Sequence, residues 1–323
     1  MDNLCHTLVG AAFAQSGLKR RSPLATATLL IAANLPDVDI ISLAWGNTAS
    51  LAFRRGWTHG ILAIGLWPFI LAGLMVGYDR LTKRRGARFG PLVFVAAIGV
   101  LSHPLLDLLN TYGVRWLMPF SDRWFYGDTL FIIDIWVWLM LGIGVLASVR
   151  RERRGLATWE FPARAALALA FLYTTSMFTL GRLTESQVRF ELIAAGVPVE
   201  RVLAAPMPLR PLQREVVVDE GDALLVGEIR TGGHLQEIGH WPRWPTPEPF
   251  VDPDVALAAS TPAAATFLWW ARFPTYIVDR RRTSTVVHFI DLRYAREPEA
   301  RFGTLSVEVS SGSLVAGPKP PLP

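Results

Sequence analysis

Three histidines and a few aspartates stand out in a stretch of chain that otherwise keeps little charge. They are His6; Asp37 and Asp39 in Leu35-Pro36-Asp37-Val38-Asp39; His59 in Trp57-Thr58-His59-Gly60; His103 and Asp107 in Ser102-His103-Pro104-Leu105-Leu106-Asp107; and, further on, Asp128 and Asp134. His103 and Asp107 are four apart, so on a helix the imidazole and the carboxylate share one face and can bind one ion. Pro104 between them removes a backbone donor and kinks or restarts that helix. Asp37 and Asp39 follow a proline, and in a turn both reach one ion. Imidazole and carboxylate without thiolate suit zinc, manganese or iron. The single cysteine, Cys5, excludes an intramolecular disulfide framework and a cysteine-type structural zinc site. One or two ions can be held by this many donors. A pair of ions about 3.5–4 Å apart stabilises the attacking and leaving oxygens of phosphoester hydrolysis. Asp37 or Asp39, if left unligated, is then placed to act as general base. Singly, each motif also fits a plainer role: a helix-end histidine, a loop or N-cap aspartate, an interfacial His6 or His59, or an Asp134 paired with Arg115 or Arg123.

The elements that must position these residues are apolar. Of 323 residues, 51% are hydrophobic and 18% charged, against about 25% charged in ordinary soluble domains. This composition excludes a disordered chain or a coiled coil. The net charge of +5 suggests nucleic acid until it is located. Residues 1–182 hold 18 Lys+Arg against 10 Asp+Glu, and the remainder holds 14 against 17. Basic residues cluster at Lys19-Arg20-Arg21, Arg80 to Arg88 and Arg150 to Arg154, between hydrophobic runs. That is a membrane protein's pattern, and no nucleic-acid partner is needed. Ile61–Tyr78, Phe89–Leu106, Leu130–Val149 and Ala163–Gly181 are read as spanning helices. In this reading Asp134 lies four residues inside the third. Two shorter runs, Leu4–Leu18 and Pro23–Leu35, are read as a tilted hairpin or as half-helices held inside the bundle. No secretory leader is expected, because no basic residues precede the first apolar run.

By the positive-inside rule the three basic clusters face the cytoplasm. Segments 36–58 and 107–129 then face outward, and His6, Asp37, Asp39, His59, His103, Asp107 and Asp128 gather near the outer boundary. Arg54, Arg55, Arg115 and Arg123 count against this orientation. The expected architecture is mostly α: a polytopic transmembrane bundle of about six helices over residues 1–182. A β-rich extracytoplasmic domain over 183–323 follows. Strand signals there are Glu215–Asp219, Leu224–Ile229, Tyr276–Val278, Thr285–Leu292 and Thr304–Val309, between proline-dense stretches at Pro198–Pro211 and Pro242–Pro253. Trp241, Trp244, Trp269 and Trp270 either pack a small core or meet the membrane interface, and Ile238–Trp244 is a candidate lipid contact. His234, His240 and His288 lack metal spacing and read as surface or core residues.

The ordered set of His6, Leu35-Pro36-Asp37-Val38-Asp39, Trp57-Thr58-His59-Gly60, Ser102-His103-Pro104 with Asp107, and Asp122 to Asp134 resembles the YdjM-like family. These are LexA-regulated, inner-membrane-associated metal-dependent hydrolases of bacteria, and the resemblance covers roughly residues 1–180. The family is distantly similar to the zinc-dependent phospholipase C superfamily. The resemblance implies that His59, His103, Asp107 and one of Asp37 or Asp39 hold a zinc. It further implies that Asp107 bridges to a second zinc completed by His6. The soluble relatives also use a free N-terminal amine and a third, histidine-rich site. No further histidine occurs in the bundle here, so Asp128 and Asp134 are the residues left to replace part of that site. The implied activity is cleavage of a lipid or lipid-linked phosphoester in or near the outer leaflet, with membrane lipid as the partner. The competing expectation is a non-enzymatic metal-binding membrane protein, or a transporter with a polar intramembrane pathway.

Overall fold

The computed structural model describes residues 1–84, 86–233, 241–247 and 252–310. His234, His240 and the start of Ile238–Trp244 lie outside the described residues. The chain divides into two compact units. The first comprises Met1–Ala44, Phe53–Leu180 and Pro206–Pro211, and the second comprises Trp45–Ala52, Gly181–Ala205 and Leu212–Pro323.

Helices build the first unit. They are α1 (Asn3–Gln15), α2 (Ala25–Ala32), a 3-10 helix (Leu35–Trp45), α4 (Ile61–Leu81), α5 (Phe89–Leu108), α6 (Ile135–Arg153) and the first part of α7 (Phe161–Ala194); α3 (Asn47–Phe53) falls at the changeover between units. Among the described residues α4, α5 and α7 are long and apolar enough to cross a membrane. A fourth candidate is α2 joined to the 3-10 helix, a pair bent by 42°. Of the about six spans expected, three, or four with the bent pair, are long and apolar enough to cross. Two physical reasons account for the difference. At 13 residues α1 is short for a bilayer. In α6 the last turn holds Arg150, Arg151 and Arg153, so its apolar part is too short. Nor does α6 begin at Leu130: Asp134 caps it, accepting from the Trp136 and Val137 amides at 3.0 and 3.1 Å. The acid expected inside a span instead satisfies the helix's free N-terminal donors.

Small residues set how closely the inner helices pack. A Cβ on Gly99 of α5 would lie 2.6 Å from the Ala32 Cβ and 3.2 Å from the Leu29 carbonyl. Backbones of α2 and α5 therefore touch there, as small residues allow in apolar bundles. One core joins Ala14 of α1, Leu29 and Ala32 of α2, Leu71 and Met75 of α4, and Leu92, Val95 and Val100 of α5. A second joins Cys5 and Val9 of α1 to Val137 and Leu141 of α6 and to Ala166 and Met177 of α7. One turn beyond Gly99, on the same face of α5, comes His103, and Asp107 follows after another.

The three basic clusters meet at one end of this unit. Lys19 pairs with Glu152, Arg20 with Glu160 at 2.9 Å, and the Arg88 guanidinium donates to the Arg21 carbonyl at 3.0 Å. The candidate site lies at the opposite end, where α4 begins and α5 stops.

In the second unit β1 (Arg201–Met207), β2 (Arg210–Asp219), β3 (Ala223–Arg230) and β4 (Arg243–Pro245) form one sheet in sequence order. A second sheet holds β5 (Pro274–Arg280), β6 (Ser284–Asp291) and β7 (Thr304–Ser310). Val217 of β2 packs with Phe273 and Ile290, whereas Val216 and Val218 point the other way onto Val188 and Leu192 of α7. With both faces covered, β2 and β3 read as continuous apolar runs. Helix α7 continues past residue 183 to Ala194, and the units change over inside it at Gly181. Its polar residues there mark a new environment for the same helix. Short helices α8 (Pro253–Ala259) and α9 (Pro262–Trp270) complete the unit. Trp270 is buried, Trp241 and Trp244 pack against the cores, and Trp269 is partly exposed. His288 on β6 lies 2.8 Å from the Ser306 hydroxyl.

Candidate metal centre

Four side chains converge: Asp37 from the 3-10 helix, His59 from the segment before α4, and His103 and Asp107 from α5. One donor atom from each lies within 4.8 Å of all the others. The two His Nε2 atoms are 3.1 Å apart. Asp107 Oδ2 is 3.3 Å from His59 Nε2 and 3.4 Å from His103 Nε2. Asp37 Oδ1 is 3.9 and 3.7 Å from the same two nitrogens. Zinc with tetrahedral bonds of about 2.0–2.1 Å needs donor atoms about 3.3–3.4 Å apart, so the spacing suits one such ion.

Tautomers agree with the spacing. His103 Nδ1 is 2.6 Å from the Ala33 carbonyl and can only donate to it, which leaves Nε2 as a lone pair. His59 Nδ1 lies 2.9 Å from the Thr58 hydroxyl and 3.4 Å from Asp39 Oδ2. An Nδ1–H held by that carboxylate again leaves Nε2 unprotonated, the arrangement that orients metal-binding histidines. With both rings neutral the two lone pairs face each other at 3.1 Å, an arrangement that a proton or a metal ion between them would satisfy. Asp37 Oδ1 and Asp107 Oδ2 are buried without a hydrogen-bond partner. Orphaned buried carboxylate oxygens are costly, and here they are the two atoms aimed at the same point. The residues present therefore fit a divalent ion, which Asp37, His59, His103 and Asp107 would hold.

The other expected residues have different places. Asp39 lies behind His59, where its Oδ2 accepts from the Arg55 amide at 2.7 Å and the Thr58 hydroxyl at 3.2 Å. It would orient His59, and Asp37 is the aspartate of the pair that belongs to the four-atom group. His6 is buried, with its ring stacked on His103 at 3.8 Å and its Nε2 3.4 Å from Asp107 Oδ1. That second oxygen is already compensated: Arg55 reaches it at 3.1 Å, and the Met1 ammonium contacts it. Asp128 is buried in a left-handed conformation (φ 51°). Neither it nor the helix cap Asp134 belongs to the four-atom group.

A model of the YdjM inner membrane protein family matches residues 1–181, more than half of the chain. The chain belongs to the YdjM inner membrane protein family. It is also similar to the uncharacterized protein YfhP of Bacillus subtilis (strain 168), at 25% identity over 270 residues, covering 82% of this chain and 76% of that protein. No solved structure matches it. The family match spans all four residues of the candidate site of this YdjM-family chain and also His6 and Asp39.

Sequence reasoning missed the arginines. Arg55 is buried, donates to Asn110 Oδ1 at 2.9 Å and the Gly113 carbonyl at 3.2 Å, and lies over the Tyr112 ring. Arg115 is buried, donates to the Arg54 carbonyl at 3.0 Å, and lies over the Trp124 ring. These side chains neutralise and brace the site, which is why they sit at the end opposite the basic clusters. Their signal was position: Arg54 and Arg55 directly precede Gly56-Trp57-Thr58-His59, and a buried arginine needs an acid. Gly60 in the same motif is forced, since a Cβ there would lie 2.4 Å from the Met118 carbonyl.

Burial lowers the His59 pKa below its ordinary value, usually about 6.5. A metal ligand must be neutral, and a depressed pKa keeps imidazole neutral further into acid. Zinc content after equilibration across a pH series is therefore expected to fall as the pH drops and the ligands take up protons. Zinc content that does not change on acidification would contradict this account.

Proposed function

We propose that this YdjM-family chain is a membrane-embedded, metal-dependent hydrolase of a phosphoester carried by a lipid or lipid-linked molecule. The observation that carries the reading is the pair of facing Nε2 atoms beside two orphaned carboxylate oxygens. Zinc fits this donor set best, with manganese or iron as alternatives. A divalent ion there supplies Lewis-acid polarisation of a phosphoryl oxygen and lowers the pKa of water.

The protein's residues divide the remaining tasks. His59, His103 and Asp107 are fully buried and fixed, so they hold the ion. Asp37, whose side chain is 10% exposed, is the corner at which water and substrate arrive. With Oδ1 toward the ion, its other oxygen, which accepts from the Asn3 side-chain amide at 3.2 Å, would take the proton from attacking water, and that proton would go on to the leaving oxygen as the phosphorus–oxygen bond breaks. Arg55 on Asp107 Oδ1 supplies the charge that a second ion would bring, so one ion suffices. An open groove of about 520 Å³ includes Asp37 and is lined by the apolar Leu30, Ile31, Leu35 and Val38 and the polar Asn3, Thr7 and Asn34. Such a groove suits an amphiphile. The site sits at one end of the candidate spans, which disfavours a conduction path through the bilayer. With the basic clusters cytoplasmic, that end faces the outer leaflet of the inner membrane, and the charge pattern carries residues 183–323 to the same side.

The test is metal analysis of detergent-purified protein together with phosphodiester cleavage, using a water-soluble aryl phosphodiester and phospholipid in mixed micelles. Bound zinc with cleavage abolished by chelation and restored by zinc is the expected result. Bound metal with neither substrate cleaved would leave a metal-binding membrane protein and end the hydrolase reading.

A further inference from the structure

Two consecutive arginines at the site have opposite fates. Arg55 is buried, hydrogen-bonded and spent on Asp107. Arg54 is fixed by hydrogen bonds at its backbone and only by longer ion-pair contacts at its side chain. Its carbonyl accepts from Arg115 at 3.0 Å, and the next residue is clamped on both sides by Arg55 N–H to Asp39 at 2.7 Å and Arg115 N–H to the Arg55 carbonyl at 2.8 Å. The guanidinium itself is loosely placed. It stands 3.5 Å from Asp37 Oδ1 and 3.5 Å from Asp39 Oδ1, its Nε has no hydrogen-bond partner, and the side chain is 27% exposed. A fixed Cα with an under-used guanidinium is the arrangement of a group waiting for an anion.

We propose that Arg54 is the anion-recognising residue of the site and binds a non-bridging phosphoryl oxygen of the substrate. This rests on the hydrolase reading and names the substrate's charged group. Asp37 is shared between the arginine and the ion. Once its Oδ1 turns to a cation, the Arg54 guanidinium loses its nearest counter-charge while staying beside the open corner. A phosphate then restores neutrality and takes the two parallel N–H donors that the planar fork offers. Asp39, engaged by Arg55, Thr58 and His59, stays behind and keeps the guanidinium from swinging away.

The experiment uses full-length protein in detergent, loaded with zinc, with inorganic phosphate and dodecyl phosphate as probes in calorimetric titration. R54Q is expected to keep its zinc and lose roughly 10- to 100-fold in phosphate affinity, the loss expected from a charge-assisted hydrogen bond. R54K is expected to recover only part, because a point charge lacks the fork. If dodecyl phosphate binds more tightly than inorganic phosphate in an Arg54-dependent way, the anion belongs to a lipid headgroup; equal affinities assign it to a soluble phosphate. Unchanged phosphate affinity in R54Q overturns the assignment, even where the wild type cleaves phosphodiesters. Zinc lost from R54Q in step with phosphate also overturns it, because the arginine is then only part of the metal site's frame. Arg54-dependent phosphate binding by a wild type that cleaves nothing supports the assignment and sinks the hydrolase reading alone.

Discussion

Replacing His103 with alanine is expected to empty the metal site while leaving the fold in place. His103 contributes one of the two nitrogens of the group, and its Nδ1–H is anchored 2.6 Å from the Ala33 carbonyl. Removing a group that merely orients a ligand typically costs about 10- to 100-fold in metal affinity, and removing the ligand itself should exceed that. The fold should survive because α5 keeps its packing on α2 and α4 through Leu92, Val95 and Val100. What is lost is one hydrogen bond, about 1 kcal/mol, the stacking on His6, and the approach of Nε2 to Asp37 and Asp107 at 3.7 and 3.4 Å. Metal content by mass spectrometry and thermal unfolding in detergent measure the two effects separately. Wild-type zinc in H103A would remove the basis of the site.

This expectation was readable in the sequence because it rests on local spacing. His103 and Asp107 share a helix face whatever the fold does around them, and three histidines among few charges had to be explained together. The choice between Asp37 and Asp39 was not readable in that way. Their segment forms a 3-10 helix, whose three residues per turn send side chains two apart about 120° away from each other. One therefore faces the ion and the other lies behind His59. Asp134 was misplaced because Leu130-Phe131-Ile132-Ile133 is as apolar as the helix that follows, so hydropathy does not mark where α6 starts. In the second half, Asp252-Pro253 and Thr261-Pro262 are N-cap and first-turn signatures of α8 and α9. Proline density obscured them, as it did β1.

The arginines were the least legible part, and they explain an apparent conflict. Arg54, Arg55 and Arg115 violate the charge bias that orients the bundle. That bias concerns charges left in water near the membrane, whereas these three are engaged with carboxylates, carbonyls and aromatic faces at the site. Only contacts distant in sequence show which arginines belong to topology and which to chemistry.

Asp107→Ala should be the most damaging single change, because it strikes metal and fold together. One carboxylate oxygen faces the ion and the other carries Arg55 at 3.1 Å, His6 at 3.4 Å and the Met1 ammonium, all buried. Breaking a buried ion pair by removing one partner costs about 3–5 kcal/mol, since the remaining charge is left uncompensated. The low end is expected here, because Arg55 keeps Asn110, the Gly113 carbonyl and the Tyr112 ring. Unlike H103A, D107A should therefore lose zinc and also unfold at distinctly lower temperature in detergent. The double variant D107A/R55M separates the causes. Removing the stranded guanidinium should recover most of the thermal stability, because an apolar replacement of a buried pair is often neutral, and zinc should remain absent. If D107A melts with H103A, or if the double variant is no more stable than D107A, then Arg55 is not the charge that Asp107 holds, and the view that it substitutes for a second ion fails with it.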